Sequence, residues 1–114
     1  MSTITFEDFE KIDTRLGRII EATDFPEARK PAFKLLIDLG PEIGIKRSSA
    51  QLVGAHTKEE LNGMLVACVV NFPPRRIGRF ESEVLTLGFK NTAGSGYVVV
   101  TAANENVALG DRLS

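Results

Sequence analysis

The sequence predicts an all-β fold, a small barrel or sandwich, and three observations favour it. Segments of alternating apolar and polar residues recur along the chain, and turn signals separate them. One segment, residues 64–72, is apolar on both faces and stops at Pro73 and Pro74, which cannot donate to a strand ladder. The chain has 114 residues, 43% of them hydrophobic, which suits one domain with its own core, residues 1–114.

The first predicted element is a short N-terminal helix. Thr5 can cap it, and Asp8 stands three residues later in a capping-box pattern. Phe6 and Phe9 fall on one face of this helix. Because one or two helical turns are unstable alone in water, we expect the helix to dock on its own barrel or on a partner.

Six further segments are predicted to be strands. Residues 15–23 form the first, where Gly17 marks a bulge or a tight bend. Residues 33–39 alternate with period two and, through a turn at residues 40–42, form a hairpin with residues 43–49. The remaining strands are residues 64–72, 83–87 and 97–102, and a Gly-rich loop separates the last two.

Residues 51–63 are polar and lie between the third and fourth strands. Thr57 and Glu60 have capping-box spacing there, which favours a short helix. A helix between strands three and four of a five-stranded set is the layout of an oligonucleotide-binding (OB) Greek-key barrel. We therefore predict an OB barrel with a short N-terminal helix and this helical insertion; an SH3-like barrel is the alternative from pattern alone.

Composition and charge exclude several function classes. Lys and Arg total 14 and Asp and Glu 15, for a net charge of −1, so any nucleic-acid contact must come from a local basic patch. One Cys and one His exclude a disulfide framework and a Cys/His zinc cluster, and no metal or cofactor is predicted. The longest apolar run, residues 64–70, is too short to span a membrane, and we expect a cytoplasmic protein without membrane insertion.

No catalytic residues are predicted. His56 is expected to be a surface-loop histidine, and Cys68 a buried, inert thiol within an apolar strand. Ser49 lies near His56 in sequence, but a nucleophile needs a base in contact and an orienting group behind it. The sequence therefore favours a binding protein over an enzyme.

The most informative segment is residues 71–80, which carries Arg75, Arg76 and Arg79 beside a diproline and between two Phe residues. Arg binds phosphate through paired hydrogen bonds and stacks on bases, and aromatics beside cations suit looped or single-stranded RNA. The Arg29-Lys30 and Lys46-Arg47 pairs could extend the patch. Two alternatives are a solvated basic loop and ion pairs with Glu81, Glu83 or Asp38 within the fold.

Four Phe at terminal or loop positions pack either within the chain or on a partner: Phe6, Phe9, Phe25 and Phe89.

Several ordered motifs resemble one known family. Residues 13–19 match the Asp-x-Arg-x-Gly-x-Ile opening of the tRNA-binding domain family through Asp13, Arg15, Gly17 and Ile19. Residues 43–51, 71–76 and 82–85 extend the resemblance over nearly the whole chain. They narrow it to the export-related bacterial chaperones built on that domain.

The resemblance implies an OB barrel that dimerises through terminal elements and binds two partners without catalysis, structured tRNA and unfolded or exported polypeptide. Arg75 and Ser82 match positions of the family's RNA-contacting segment. Leu85 replaces a frequent Met, and Arg79 stands where a Gly is expected. The predicted RNA-binding residues are Lys46, Arg75, Arg76, Arg79 and Ser82; the predicted homodimer residues are Phe6, Phe9, Tyr97 and Val99.

Three functional hypotheses follow. The first is a tRNA-binding, non-catalytic export chaperone that uses an Arg-rich loop for RNA and apolar surface for polypeptide. The second is a dedicated peptide-binding secretion chaperone with only vestigial RNA affinity. The third is a structural subunit that tethers tRNA to an enzyme. Salt separates the first two, because phosphate contacts weaken steeply with salt and apolar contacts do not.

Overall fold

The computed structural model describes all residues, 1–114, and is dominated by short strands. In chain order the elements are α1 (Phe6–Glu10), β1 (Thr14–Asp24), β2 (Phe33–Asp38), α2 (Gly40–Ile43), β3 (Ile45–Ala50), α3 (Lys58–Leu61), β4 (Leu65–Val69), β5 (Arg75–Ile77), β6 (Phe80–Ser82), β7 (Leu85–Thr86), β8 (Gly88–Lys90) and β9 (Tyr97–Val99). Five strands form one antiparallel sheet in the order β3-β2-β1-β4-β7, while β5-β6 and β8-β9 are separate hairpins.

The five-stranded sheet curls into a nearly closed barrel, because its two edge strands approach each other. The Ser48 hydroxyl on β3 and the Thr86 hydroxyl on β7 lie 2.8 Å apart. Just before β7, the Glu83 amide donates to the Arg47 carbonyl at 2.8 Å. With α3 between the third and fourth barrel strands, the predicted OB barrel is confirmed over the SH3-like alternative.

Strand β1 is long because it pairs with two neighbours in succession. Its first half pairs with β4, from Thr14 to Arg18, and its second half pairs with β2. The register with β2 shifts between Ile19 and Glu21, which bends the strand. The sequence suggested a bulge or bend at Gly17, but the bulge lies further along the strand, between Ile19 and Glu21.

Gly17 has a different role, which is close packing. A Cβ at this position would lie 2.5 Å from Cγ2 of Ile37 and 2.9 Å from Cδ2 of Leu39. Both of these side chains are fully buried. The glycine therefore lets two core residues lie directly against the β1 backbone.

The core follows the predicted alternation on β2, where Phe33, Leu35 and Ile37 are buried. Buried side chains from other strands, the connections and the insertion complete it: Ile19, Leu39, Leu52, Leu61, Val66, Cys68, Val84 and Val99. The predicted strand 83–87 is shorter than expected. The Gly-rich loop is instead partly strand β8, which forms a hairpin with β9.

Two other residues of the opening motif, Asp13 and Arg15, hold the C-terminal segment. The Arg15 guanidinium donates to Asp13 Oδ1 at 2.6 Å and to the Gly110 carbonyl at 2.9 Å. The hydrogen bond from Arg15 lowers the pKa of the Asp13 carboxyl. This motif therefore has a structural role in this chain, as a clamp between β1 and the end of the chain.

Helix α1 forms as predicted, with a reciprocal capping box between Thr5 and Asp8. Asn71 ties the helix to the end of β4, because its side chain donates to the Lys11 carbonyl and accepts from the Asp13 amide. The helix buries none of its residues, and Phe6 is 67% exposed. No helix in the structure is long and apolar enough to cross a membrane.

Candidate nucleic-acid interface

The three arginines of residues 71–80 are carried by a hairpin that the sequence did not predict. After Pro73 and Pro74, β5 pairs with β6 so that Arg75 lies opposite Ser82 and Arg76 opposite Glu81. Gly78 begins the two-residue turn with φ of +60°. Only the first central position of this turn has a positive φ, and Gly78 occupies it. Arg79, at the second central position, does not need a positive φ, so an arginine is tolerated where a family glycine was expected.

Phe80 anchors this Arg hairpin, residues 75–82, to the barrel. Its ring packs edge-on against Phe25, with 5.3 Å between the ring centroids, and Phe25 is itself buried. The Lys34 ammonium lies 4.9 Å from the Phe25 centroid and 5.6 Å from that of Phe80. Phe25 thus packs within its own chain, one of the two alternatives left open by the sequence.

Ser82 holds the base of the Arg hairpin. Its hydroxyl accepts the Ser49 amide at 2.9 Å and donates to the Val84 carbonyl at 3.4 Å. These bonds occupy the hydroxyl within the fold. The geometry therefore gives Ser82 a positioning role beside β3.

A groove of about 1100 Å³ runs beside the Arg hairpin, bounded by the loop after β1 and by β7 and β9. Four exposed cations line it, two from the loop and two from the hairpin: Arg29, Lys30, Arg75 and Arg76. Exposed apolar side chains line the same space: Phe72, Leu85 and Tyr97. Cationic and apolar groups therefore face one shared volume.

The two acids that line the groove already have other partners. Glu27 pairs with Lys34 at 3.7 Å, and Glu83 with Arg47 at 3.2 Å and Lys46 at 4.0 Å. The pKa of the Glu83 carboxyl is lowered overall. Partial burial alone would raise this pKa, but hydrogen bonds from the Arg47 backbone and side chain and the charges of Arg47 and Lys46 outweigh the burial. Glu83 thus stays ionised and neutralises its partners.

The four groove cations, by contrast, take part in none of the ion pairs of the chain. The alternative that Arg75, Arg76 or Arg79 pairs with Glu81, Glu83 or Asp38 is therefore wrong for this structure. A chain with a net charge of −1 concentrates unpaired positive charge at one groove. Such a patch attracts polyanions even on an acidic protein.

The predicted RNA-binding residues are only partly brought together. Arg75, Arg76 and Ser82 line the groove. Arg79 is exposed at the turn outside it, and Lys46 lies beside Glu83. Arg29 and Lys30, which the sequence indicated only as an extension of the patch, line the same groove from the loop after β1. Their proximity to the hairpin depends on the barrel, so no sequence spacing could reveal it.

The predicted dimer residues also differ in exposure. Phe6 and Phe9 both lie on α1, and their rings are tilted towards each other with 5.9 Å between the centroids. Tyr97 is 42% exposed. Val99 is 6% exposed and belongs to the core of its own chain. Its side chain is packed within the hydrophobic core, so it offers little surface to a partner.

The side chains considered for catalysis are engaged in the fold. Burial raises the pKa of Cys68 to about 12, so its thiol is protonated, in line with the expectation that it is buried. The prediction of a surface-loop His56 is wrong, because its side chain is 10% exposed and both ring nitrogens are hydrogen-bonded. The chain after β3 folds back through a β-bridge between Val53 and His56, and the imidazole ring contacts β9 at the Val99 amide. No group of three His, Cys, Asp or Glu residues could hold a metal ion.

Comparison with known proteins is consistent with this architecture. The family model described as a putative tRNA binding domain matches residues 14–112. A crystal structure of the CsaA chaperone protein from Picrophilus torridus has a TM-score of 0.88 and 45% identity, covering 98% of this chain and 100% of that one. The chaperone CsaA of Bacillus anthracis also has a TM-score of 0.88, with 42% identity over 99% of this chain and all of its own.

A curated relative is a much longer protein. The methionine–tRNA ligase of Thermotoga maritima is 36% identical over 91 residues, which is 79% of this chain but 14% of the ligase. The chain thus spans about a seventh of the length of that enzyme. The likeness concerns one segment of the enzyme.

Proposed function

The chain belongs to the putative tRNA-binding domain family, within its CsaA-like branch, and on that premise we propose that it is a non-catalytic tRNA-binding protein of the cytoplasm that also acts as a protein-export chaperone. The observation that carries the RNA proposal is the groove with four unpaired cations. Arg75 and Arg76 reach it from the Arg hairpin, and Arg29 and Lys30 from the loop after β1. Cations from two different elements that line one groove suit a phosphate backbone that follows the groove.

The Arg hairpin is built to hold its charges in place. The diproline restricts the approach, and Phe80 fixes the far strand against Phe25. A preorganised cation loses less side-chain and backbone entropy on binding than a cation on a loose loop. Phe72 and Tyr97 in the same groove offer rings on which unpaired bases can stack.

Polypeptide binding is the second proposed activity. Leu85, Phe72 and Tyr97 form exposed apolar surface within the groove, and Phe89 and Val98 form a second exposed pair on the β8-β9 hairpin. Exposed apolar side chains of this kind suit segments of unfolded chain. The alternative, a secretion chaperone with only vestigial RNA affinity, places the working contacts on this apolar surface alone. The third hypothesis, a tether that brings tRNA to an enzyme, is favoured by no separate feature of the structure.

A competition titration tests the proposal. Labelled tRNA is titrated with the protein at low salt, and an unfolded polypeptide is then added as competitor. We expect tRNA to bind and the polypeptide to displace part of it, because the two share the groove. Binding of the polypeptide with no detectable tRNA affinity would favour the secretion-chaperone alternative.

A homodimer is also proposed, with α1 and the exposed side of β9 at the interface. Phe6, two-thirds exposed on a helix that buries nothing, needs a larger apolar surface than its own chain supplies. In the proposed dimer, the exposed side chain of Tyr97 on β9 also contributes to the interface. An isologous contact would bury both Phe residues of each protomer.

Sedimentation tests the dimer. The native chain is expected to be a dimer at micromolar concentration. The double variant Phe6→Ser, Phe9→Ser should raise the dimer Kd by on the order of 100-fold or more, since each buried Phe contributes about 1.5–3 kcal/mol. The control, Ile45→Ser, removes another exposed apolar side chain, from β3, and should leave the dimer intact. A native chain that sediments as a monomer would contradict the proposal.

A further inference from the structure

The only histidine joins three separate parts of the molecule. His56 Nδ1 lies 2.6 Å from Glu60 Oε1 on α3, and Nε2 lies 3.2 Å from the backbone nitrogen of Val99 on β9. The ring itself belongs to the segment that follows β3. A side chain that is only 10% exposed and has both ring nitrogens engaged in this way is not a solvent-facing loop residue.

The protonation state of the ring follows from its partners. The Val99 nitrogen is a backbone N–H, which can only donate, so Nε2 must accept. The single ring proton of the neutral imidazole therefore sits on Nδ1 and is donated to the Glu60 carboxylate. Neither hydrogen bond can be made in full by the opposite tautomer.

Strand β9 also forms part of the groove wall, through Tyr97. Two other hydrogen bonds join the β8-β9 hairpin to the same segment: the Tyr97 amide donates to the Gln51 carbonyl at 2.9 Å, and the Asn91 side chain in the hairpin loop donates to the Gly54 carbonyl at 3.3 Å. The Val99 bond is the one attachment in this group that depends on an ionisable side chain. The wall of the groove is therefore tied to α3 through the ring.

We infer that His56, as a neutral imidazole with its proton on Nδ1, is a positioning residue that fixes the β9 wall of the groove, and that protonation of this ring releases β9. Protonation keeps the Glu60 contact but places a second N–H on Nε2. That N–H then faces the amide N–H of Val99, and the acceptor is lost. Acid should loosen β9 while α3 stays in place.

The surroundings of the ring contain few other charges that could redirect this effect. On α3, Glu60 is its charged partner, Lys58 turns to Asp24 at 3.0 Å, and Glu59 is exposed. From β9 the facing group is a backbone amide. The segment from Gln51 to Ala55 carries no ionisable side chain. The inferred control of the wall thus depends on one histidine and one carboxylate.

Two amide variants separate the roles of the ring nitrogens. In His56→Gln, a side-chain oxygen can stand near the Nε2 position and accept from Val99; in His56→Asn, the shorter amide can reach only the Nδ1 position. The measurement is hydrogen exchange of the Val99 amide by NMR, corrected for the intrinsic effect of pH. Asn should raise the Val99 exchange rate at least about tenfold, whereas Gln should keep it within about threefold of the native rate.

The native chain provides the second measurement, which holds even if the Asn variant does not fold. Ring 15N shifts should show the Nδ1–H tautomer near pH 8, and Val99 exchange should accelerate as the ring is titrated, an acceleration absent in His56→Gln. An Nε2–H tautomer, or Val99 exchange unaffected by the titration, would overturn the inference. The effect on tRNA rests on the proposed function: His56→Asn should weaken binding severalfold and His56→Gln should not. If no tRNA binds, the proposed function fails, while the exchange data still decide the role of His56.

Discussion

The double variant Arg75→Ala, Arg76→Ala is expected to weaken tRNA binding by roughly 100-fold or more at moderate salt, because each guanidinium lost removes a charge-assisted contact of about 1.5–3 kcal/mol. Both side chains are exposed and unpaired, so their removal breaks no ion pair in the fold. The melting temperature should therefore stay close to the native value. Affinity should fall alike for different tRNA species, because phosphate contacts carry no sequence information.

The matched control removes the same charge elsewhere. Lys11 and Lys58 pair with Asp8 and Asp24 and do not line the groove. Lys11→Ala, Lys58→Ala should change tRNA affinity by less than about threefold, since long-range effects of exposed charges are largely screened at moderate salt. Equal losses in the two double variants would mean that net charge, not the groove, governs binding. Unchanged affinity in the Arg variant with a normal melting curve would remove the hairpin from the site.

Gly17→Ala is expected to cause the largest loss of stability, about 2–3 kcal/mol. The added Cβ would lie far inside contact distance of Ile37 and Leu39. Both neighbours are fully buried in the barrel core, so neither can move aside without disturbing other packing. Urea unfolding followed by circular dichroism measures the effect as a lower midpoint with an unchanged slope.

Gly94→Ala is the control for this substitution. An added Cβ there meets no atom closer than 3.7 Å, the side-chain nitrogen of Asn91, and Gly94 does not have a positive φ. Its expected change in the free energy of unfolding is within about 0.5 kcal/mol. If Gly17→Ala were as mild as Gly94→Ala, the close packing of β1 against the core would not be a requirement of the fold.

The barrel strands could be predicted because their patterns are long enough. Phe33, Leu35 and Ile37 alternate over six residues, and the β2-β3 hairpin follows from one turn signal. The two smaller hairpins could not be predicted in the same way. Strands of three residues, such as β5 and β8, contain too little periodicity to distinguish from loop.

The candidate site was predictable only in its charged residues. The Arg cluster beside the diproline is visible in the sequence, but its partners are not. Arg29 lines the same groove as the hairpin because the fold brings the loop after β1 close to it. The prediction of a surface-loop His56 failed for a similar reason. The backbone amide that donates a hydrogen bond to its ring lies 43 positions away in the chain.

The salt dependence of tRNA affinity tests the central claim most directly. The native chain is titrated with tRNA from low to moderate salt, and the logarithm of the association constant is plotted against the logarithm of the salt concentration. If the four groove cations each meet one phosphate, the slope should be about −3 to −4, and Arg75→Ala, Arg76→Ala should reduce its magnitude by about 1.4 to 1.8. A slope near zero, or a slope that the double variant leaves unchanged, would contradict RNA binding through this groove.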